Sequence, residues 1–273
     1  MREDLHISSL KNPRVRAVIA LGVAKERRHT GLFAVEGARE IGRAVAADYK
    51  LLELFVCTEA LSAAAQGVLA QLPQHGHYGS VQRYQITPAV FAKLAVREGS
   101  DGLIAVFAQR VLRLADLKLP DVPLLLAVQN LEKPGNLGAV LRSADGAGVD
   151  AVIYLDRPLD LYHPQVLRNS LGTVFHVPVV AASSAEMREF CGQKNLQTFA
   201  AALTSTAVTY TQVDYKMPCV LLLGEEAQGL SADWLDQSTA CIKVPMLGMA
   251  DSLNVAAAGA VMLYEARRQR SEI

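Results

Sequence analysis

The chain has 273 residues, of which 51% are hydrophobic and 20% are charged, and its formal net charge is zero. This composition is typical of globular proteins and excludes a long disordered chain. No run approaches the roughly 18 consecutive apolar residues that cross a bilayer, so no contact with a membrane is predicted. A neutral chain is also not expected to bind nucleic acid through its overall charge.

Positive charge is nevertheless concentrated at the beginning of the chain. Residues 1–30 contain seven lysines and arginines against three acidic residues, a net charge of about +4. A local basic region attracts phosphate groups even when the whole chain is neutral. The alternative interpretation is a solvated helix face, and charge alone favours neither.

The cysteines indicate a reducing compartment. Cys57, Cys191, Cys219 and Cys241 lie far apart in the sequence and include no Cys-x-x-Cys pair. This spacing favours buried free thiols over disulfides or a zinc site. We therefore expect a cytoplasmic protein without a bound metal.

Helices and strands alternate in the first half of the chain. Asn12 with Pro13, and Thr87 with Pro88, each combine a capping residue with proline, which is typical of a helix start. Strands are predicted at 33–36, 51–57 and 102–108, and a helix at 38–47.

A stretch richer in lysine, aspartate and proline separates the two halves. It predicts a first domain at 1–112, a linker at 113–122 and a second domain at 123–273.

The second half predicts a parallel sheet. Its strands are runs of consecutive apolar residues, the pattern of strands covered by helices on both faces. Strands are predicted at 124–129, 151–155, 175–180, 198–203, 219–223 and 241–244, and helices at 136–147, 185–192 and 252–268. The alternation predicts the α/β fold class.

The first segment with chemical character opens the helix predicted at 136–147. It contains Asn136, Gly138 and Arg142, and Gly138 lies one helical turn before Arg142 on the same face. The missing side chain of Gly138 leaves room for the arginine to reach a ligand. The alternative is an ion pair between Arg142 and Asp145 on the helix surface.

The second segment, 224–231, follows a predicted buried strand directly. It contains two glycines, Gly224 and Gly229, and two carboxylates, Glu225 and Glu226. Ligands of parallel α/β sheets bind at the carboxyl ends of strands, and glycines let a ligand approach the backbone. The alternative is a tight turn with solvated acids.

The third segment, 244–255, is an apolar loop that leads into the last predicted helix. Ser252 and Asn254 are expected in the first turn of that helix, and the small residues at 256–260 permit close packing. The alternative is that Ser252 or Asp251 serves only as the helix cap.

Together, the three segments resemble the three motifs of the SpoU/TrmH branch of the SPOUT methyltransferases. Those motifs read Asn-x-Gly-x-x-x-Arg, Gly-x-Glu-x-x-Gly and Pro-Met-x-Gly-x-x-x-Ser-Leu-Asn-Val. The matching positions here are Asn136, Gly138 and Arg142, then Gly224, Glu226 and Gly229, then Pro245, Met246, Gly248 and 252–255. Residues 9–16 and 33–37 are similar to the opening of the substrate-binding domain that often precedes this catalytic domain.

The resemblance implies a catalytic domain with a C-terminal trefoil knot, behind a smaller α/β domain similar to RNA-binding ribosomal proteins. It implies S-adenosylmethionine as the cofactor and a homodimer with the active site at the subunit interface. It also implies RNA as the substrate, with ribosomal RNA ahead of transfer RNA. The implied cofactor-binding residues are Gly224, Val244, Met246, Leu247 and Leu253.

The resemblance further implies which residues act on the RNA. A ribose 2′-hydroxyl is a poor nucleophile until its proton is removed or its charge is stabilised. Arg142 of the partner subunit is expected to contact the target phosphate and ribose, and Asn136 to hold the ribose. Ser252 and Asn254 are expected to order the cofactor loop and the target. Glu226 is expected to anchor its loop or to pair with Arg142, rather than to act as a base.

Three other functions are compatible with the same fold: a transfer RNA ribose methyltransferase, a nucleobase methyltransferase and a non-catalytic RNA-binding assembly factor. The motif of Asn136 and Arg142 favours ribose over base. The intact polar motif positions favour an enzyme over an assembly factor.

Overall fold

The computed structural model describes residues 4–72, 81–96, 100–158, 160–225 and 228–271. The chain forms two compact units. The first unit consists of Met1–Arg110 together with Asp160–His176, and the second of Val111–Leu159 together with Val177–Ile273. Segment 160–176 thus packs with the N-terminal part of the chain, although two strands of the second unit precede it.

The first unit is built on a five-stranded mixed sheet of order β1-β4-β3-β5-β2. β5 is antiparallel to both of its neighbours, whereas β4 pairs in parallel with β1 and β3. The strands are β1 (Leu5–Ile7), β2 (Leu32–Glu36), β3 (Leu51–Val56), β4 (Gln82–Ile86) and β5 (Leu103–Ala108). The helices of its N-terminal part are α1 (Pro13–Ala20), α2 (Ala24–Thr30), α3 (Ala38–Ala46), α4 (Ala63–Gln71) and α5 (Pro88–Leu94).

Both predicted helix starts of the first unit are confirmed. Asn12 Oδ1 accepts a hydrogen bond from the Arg14 N–H at 2.8 Å, and α1 begins at the following proline. Thr87 Oγ1 accepts one from the Val90 N–H at 3.5 Å at the start of α5. The predicted strands are confirmed as β2, β3 and β5, and the helix between them as α3.

A buried ion pair and an aromatic cluster hold segment 160–176 in the first unit. The Arg27 side chain is 2% exposed and binds the Asp160 carboxylate through two nitrogens, at 2.5 and 3.2 Å. The Tyr162 ring stacks on Phe33 with 4.1 Å between the ring centroids, and Phe175 stacks on the same phenylalanine. These aromatic side chains are buried, so the segment contributes to the core of the first unit.

The second unit contains a seven-stranded sheet of order β10-β12-β9-β11-β6-β7-β8, in which every described pairing is parallel. The predicted parallel sheet is therefore confirmed. Its strands are β6 (Leu124–Gln129), β7 (Ala151–Leu155), β8 (Val179–Ala182), β9 (Gln197–Ala201), β10 (Val208–Thr209), β11 (Cys219–Leu223) and β12 (Ala240–Lys243). The remaining helices are α6 (Pro134–Gly146), α7 (Pro164–Asn169), α8 (Ser184–Lys194), α9 (Ala232–Gln237) and α10 (Val255–Gln269), of which α7 belongs to the first unit.

Two predicted elements are corrected. The strand predicted at 175–180 begins only at Val179, because Thr173–Phe175 form a 3-10 turn and Phe175 packs among the aromatic rings of the first unit. The helix predicted from 252 begins at Val255. Asn254 is its cap and accepts a hydrogen bond from the Ala256 N–H at 3.0 Å, so neither Ser252 nor Asp251 has that role.

Helix α10 packs closely on α6 and β11. The Tyr264 hydroxyl donates to the Gly146 carbonyl at 3.2 Å, and Arg267 Nε donates to the Ala147 carbonyl at 2.6 Å. Gly259 faces β11, because a Cβ there would lie 3.0 Å from the Leu223 side chain. The small residues near the start of α10 therefore permit the close packing that the sequence indicated.

The four cysteines are free thiols, and three of them are buried. Within the described ranges, no three His, Cys, Asp or Glu side chains form a group that could hold a metal ion. None of the helices described here is both long and apolar enough to span a bilayer.

Candidate functional site

A cavity of about 610 Å³ opens at the carboxyl ends of β9, β11 and β12. These ends lie at one edge of the sheet because the strands are parallel, which is where ligands of such sheets bind. The volume is in the range of pockets for small molecules and cofactors. The wall is formed by residues 201–204 after β9, 223–225 and 228–230 around the second motif, 242–244 and 246 after β12, and 251–255 before α10.

The glycines of the second motif shape one wall of this cavity. A Cβ on Gly224 would overlap the backbone of Gly229 and the Leu230 nitrogen, so only glycine fits at position 224. Gly229 has a φ of +70°, and its N–H donates to the Glu225 carbonyl at 3.0 Å. The two ends of the loop therefore meet, and both of its glycines line the cavity. Glu226 lies outside the described residues.

The third motif supplies the facing wall. Val244, Met246, Ser252, Leu253 and Asn254 all line the cavity. With Gly224, this set includes four of the five residues expected to bind the cofactor.

Leu247 is the exception among those five. Its side chain is fully exposed, and the residue does not line the cavity. It lies in the irregular stretch between β12 and α10, where no regular element packs against it.

The first motif contacts a residue of the cavity wall through its asparagine. Asn136 lies in the first turn of α6, which begins at Pro134 rather than at the asparagine itself. The side-chain amide of Asn254 donates to Asn136 Oδ1 at 3.4 Å. Because Asn254 also caps α10, one side chain joins the first motif to the third at the edge of the cavity.

Arg142 does not line this cavity within its own chain. It is exposed on α6, six residues after Asn136, which corresponds to about 9 Å along the helix axis. The structure therefore brings Asn136 into contact with Asn254 and places Ser252 in the cavity wall, but leaves Arg142 outside that wall.

Arg157 links the segment before the first motif to the second motif, which the sequence analysis did not predict. It follows β7 closely, and its guanidinium binds Glu132 at 2.8 Å and Glu225 at 3.8 Å. The hydrogen bond that Arg157 donates to Glu132 and the charges of both carboxylates raise the pKa of Arg157. The sequence did contain one indication of this role. Arg157 follows the strand predicted at 151–155, and the carboxyl ends of parallel strands lie at the edge of the sheet where ligands bind.

Comparisons with known proteins match both halves of the chain. Residues 123–264 match the model of the SpoU rRNA Methylase family, and residues 12–105 match the MRM3-like substrate binding domain. The 23S rRNA (guanosine(2553)-2′-O)-methyltransferase RlmP of Bacillus subtilis is 28% identical over 261 residues, which cover 96% of this chain and 98% of that protein.

Solved structures of RNA methyltransferases are similar to this chain over nearly its full length. A crystal structure of an RNA 2′-O ribose methyltransferase is 39% identical, with a TM-score of 0.85, over 98% of this chain and 100% of that one. The AdoMet-bound rRNA methyltransferase from Sinorhizobium meliloti is 29% identical, with a TM-score of 0.86, over 96% and 97% of the two chains. The chain belongs to the SpoU rRNA methylase family.

Proposed function

We propose that this protein transfers a methyl group from S-adenosylmethionine to a ribose 2′-hydroxyl of ribosomal RNA. The observation that carries the proposal is the hydrogen bond between Asn254 and Asn136, which joins two motifs beside a glycine-walled cavity. The names of the relatives support it, since RlmP is a 23S rRNA 2′-O-methyltransferase and the Sinorhizobium protein is an rRNA methyltransferase with AdoMet bound.

The cavity has the properties that S-adenosylmethionine requires. Its volume suits a ligand of that size, and the absence of a side chain at Gly224 keeps the backbone of the second motif accessible. Backbone groups of Gly224, Val244 and Leu253 would hold the cofactor, with Met246 beside it. When bound, the cofactor supplies a methyl group on a sulfonium, which is already reactive toward nucleophiles.

The protein's own residues then have to position and activate the ribose hydroxyl. Asn136 would fix the ribose, and Ser252 and Asn254 would order the cofactor loop and the target. Arg142 carries a permanent positive charge, so it would stabilise the charge that develops on the attacking oxygen. Glu226 would anchor the loop of the second motif.

A homodimer would bring Arg142 of the partner subunit to this cavity. Leu247 and Met249 are fully exposed apolar side chains in the third motif segment, and a second copy of the chain would cover them. We also propose the trefoil knot for the segment that ends in α10, because this helix packs against α6 and β11.

The two family matches support the division of labour between the halves of the chain. We propose an RNA substrate-binding domain at 1–112, a linker at 113–122 and the methyltransferase domain at 123–273, around the matches at 12–105 and 123–264. The free thiols and a ribosomal RNA substrate favour a cytoplasmic location.

The decisive experiment is transfer of labelled methyl from S-adenosylmethionine to total RNA from a strain that lacks the protein. Nuclease digestion and mass analysis should then find a 2′-O-methylated nucleoside in ribosomal RNA. The same nucleoside found in transfer RNA would show that the substrate is transfer RNA. Label on a base would indicate a nucleobase methyltransferase, and tight binding of cofactor and RNA without transfer would indicate an assembly factor.

A further inference from the structure

Gln129 is a polar side chain at the end of an otherwise apolar strand. It is the last residue of β6, it is 4% exposed, and it lies outside the three motifs. We infer that Gln129 is a positioning residue, which holds the loop of the second motif in the shape that binds the cofactor and acts through Ser231. The identity of the cofactor rests on the proposed function.

The amide of Gln129 binds Ser231 in both directions. Its Oε1 accepts from the Ser231 N–H at 2.8 Å, and its Nε2 donates to Ser231 Oγ at 3.1 Å. Ser231 precedes α9, and its side chain forms no cap hydrogen bond there, so the hydroxyl is available to Gln129. Two hydrogen bonds between one buried side chain and one loop residue fix both the position and the orientation of that residue.

Asp156 determines which way the amide of Gln129 faces. Gln129 Nε2 donates to Asp156 Oδ2 at 2.7 Å, and an ionised carboxylate only accepts hydrogen bonds. The amide oxygen must therefore face the Ser231 N–H. Asp156 is in turn held by Ser184, whose N–H and hydroxyl donate to it at 2.7 and 2.5 Å. Partial burial alone would raise the pKa of Asp156, but the hydrogen bonds from Ser184 and Gln129 lower it, so the residue remains an acceptor.

The anchored residue is directly connected to the cavity wall. Gly229 and Leu230 precede Ser231 and line the cavity, and Leu230 is buried in the core beside Trp234. The Trp234 indole N–H donates to Ser184 Oγ at 2.8 Å, which ties α9 to the same cluster. Gln129 thus fixes Ser231 next to Gly229 and Leu230 of the cavity wall before a ligand arrives.

The first test is cofactor affinity of Gln129→Ala, measured by titration calorimetry with S-adenosylmethionine alone. We expect a loss of roughly tenfold, the order that follows removal of one buried hydrogen-bond partner. Hydrogen exchange should show faster exchange of the Ser231 amide, whose acceptor is gone. The matched control is Thr198→Val, which removes one part-buried hydrogen bond of this sheet, from the Thr239 N–H to Thr198 Oγ1 at 3.1 Å, away from the cavity wall. It should lower the Tm without changing cofactor affinity.

Gln129→Glu provides a second test that retains the shape of the side chain. Its carboxylate would face that of Asp156, with Arg188 and Glu186 of α8 and Asp233 of α9 as the other charged groups near the cluster. At low pH a shared proton restores the donor toward Asp156 and leaves an acceptor for the Ser231 N–H. Affinity should therefore approach that of the wild type near pH 5 and fall at least about tenfold by pH 8.

The outcomes separate this inference from the proposed function. A wild-type protein that does not bind S-adenosylmethionine would overturn both. A wild-type protein that binds it, together with Gln129 variants of equal affinity and unchanged pH dependence, would overturn the positioning role alone. An equal loss of affinity in Thr198→Val would also overturn it, because the effect would then be one of general stability.

Discussion

The side-chain amide of Asn254 donates a hydrogen bond to Asn136 Oδ1 at 3.4 Å, although 118 positions separate the two residues in the chain. The same asparagine caps α10 through its own Oδ1, which accepts from the Ala256 N–H. Asn254 thus combines a stabilising contact with a contact between two motifs, and different substitutions should separate these two contributions.

Asn254→Ser is expected to retain the helix cap but is too short to reach Asn136. Serine is as good a cap as asparagine, so the free energy of unfolding should stay within about 0.5 kcal/mol of the wild type, while kcat/KM for RNA falls about tenfold. Asn254→Ala should lose the cap as well, at a cost of about 1 kcal/mol. Urea denaturation and methyl-transfer kinetics measure the two effects. Equal activity of Asn254→Ser and the wild type would show that the contact with Asn136 is dispensable.

Arg142→Ala should abolish most methyl transfer while leaving cofactor binding intact. Removing a group that stabilises developing charge lowers kcat by about 10²- to 10³-fold. Arg142→Lys keeps the positive charge but loses the planar guanidinium group, so an intermediate rate is expected. The measurement is the single-turnover rate of methyl transfer at saturating cofactor and RNA. Cofactor affinity from calorimetry is the control. An unchanged rate for Arg142→Ala would refute its role.

Gly224→Ala should damage the cofactor site, because the added Cβ would overlap the backbone of Gly229. The loop must then move, and cofactor affinity should fall by more than about tenfold. Gly192→Ala is the matched control, since α8 has open space at that position and alanine stabilises a helix by about 0.5–1 kcal/mol relative to glycine. Calorimetry of both variants provides the comparison. Normal affinity in Gly224→Ala would mean that the loop tolerates the methyl group.

Asp160→Ala should destabilise the first unit by leaving the Arg27 guanidinium buried without its carboxylate. Breaking a buried pair costs about 3–5 kcal/mol, and the value here should lie at the low end because Asp160 is 33% exposed. The control is Asp4→Ala, which removes the partly exposed partner of Arg83 and should cost less than about 1 kcal/mol.

A double replacement tests the reason for that loss. Arg27→Met with Asp160→Leu removes both charges and should recover most of the stability. Denaturant unfolding measures all three variants. A loss in the double variant as large as that of Asp160→Ala would contradict the explanation by an unpaired buried charge.

Local sequence patterns determined much of the fold of this protein. The limits of β6, β7 and β11 were predicted to the residue, because each is an apolar run, with one polar residue at the end of β6, bounded by polar or turn residues. The helix starts at Asn12 and Thr87 were predicted for a similarly local reason, since a cap bonds to a backbone N–H two or three residues away. The second and third motifs identified most of the cavity wall, because each is a continuous stretch of sequence.

Only the tertiary structure decided which distant residues meet. Gln129 is separated from Ser231 by 102 positions and Arg27 from Asp160 by 133, and neither pair leaves a periodic signal. Segment 173–175 has strand-like composition but forms a 3-10 turn, because Phe175 packs with Phe33 in the first unit. Hydrophobic periodicity indicates whether a side chain is buried. Which residue that side chain contacts depends on how strands and helices far apart in sequence are brought together.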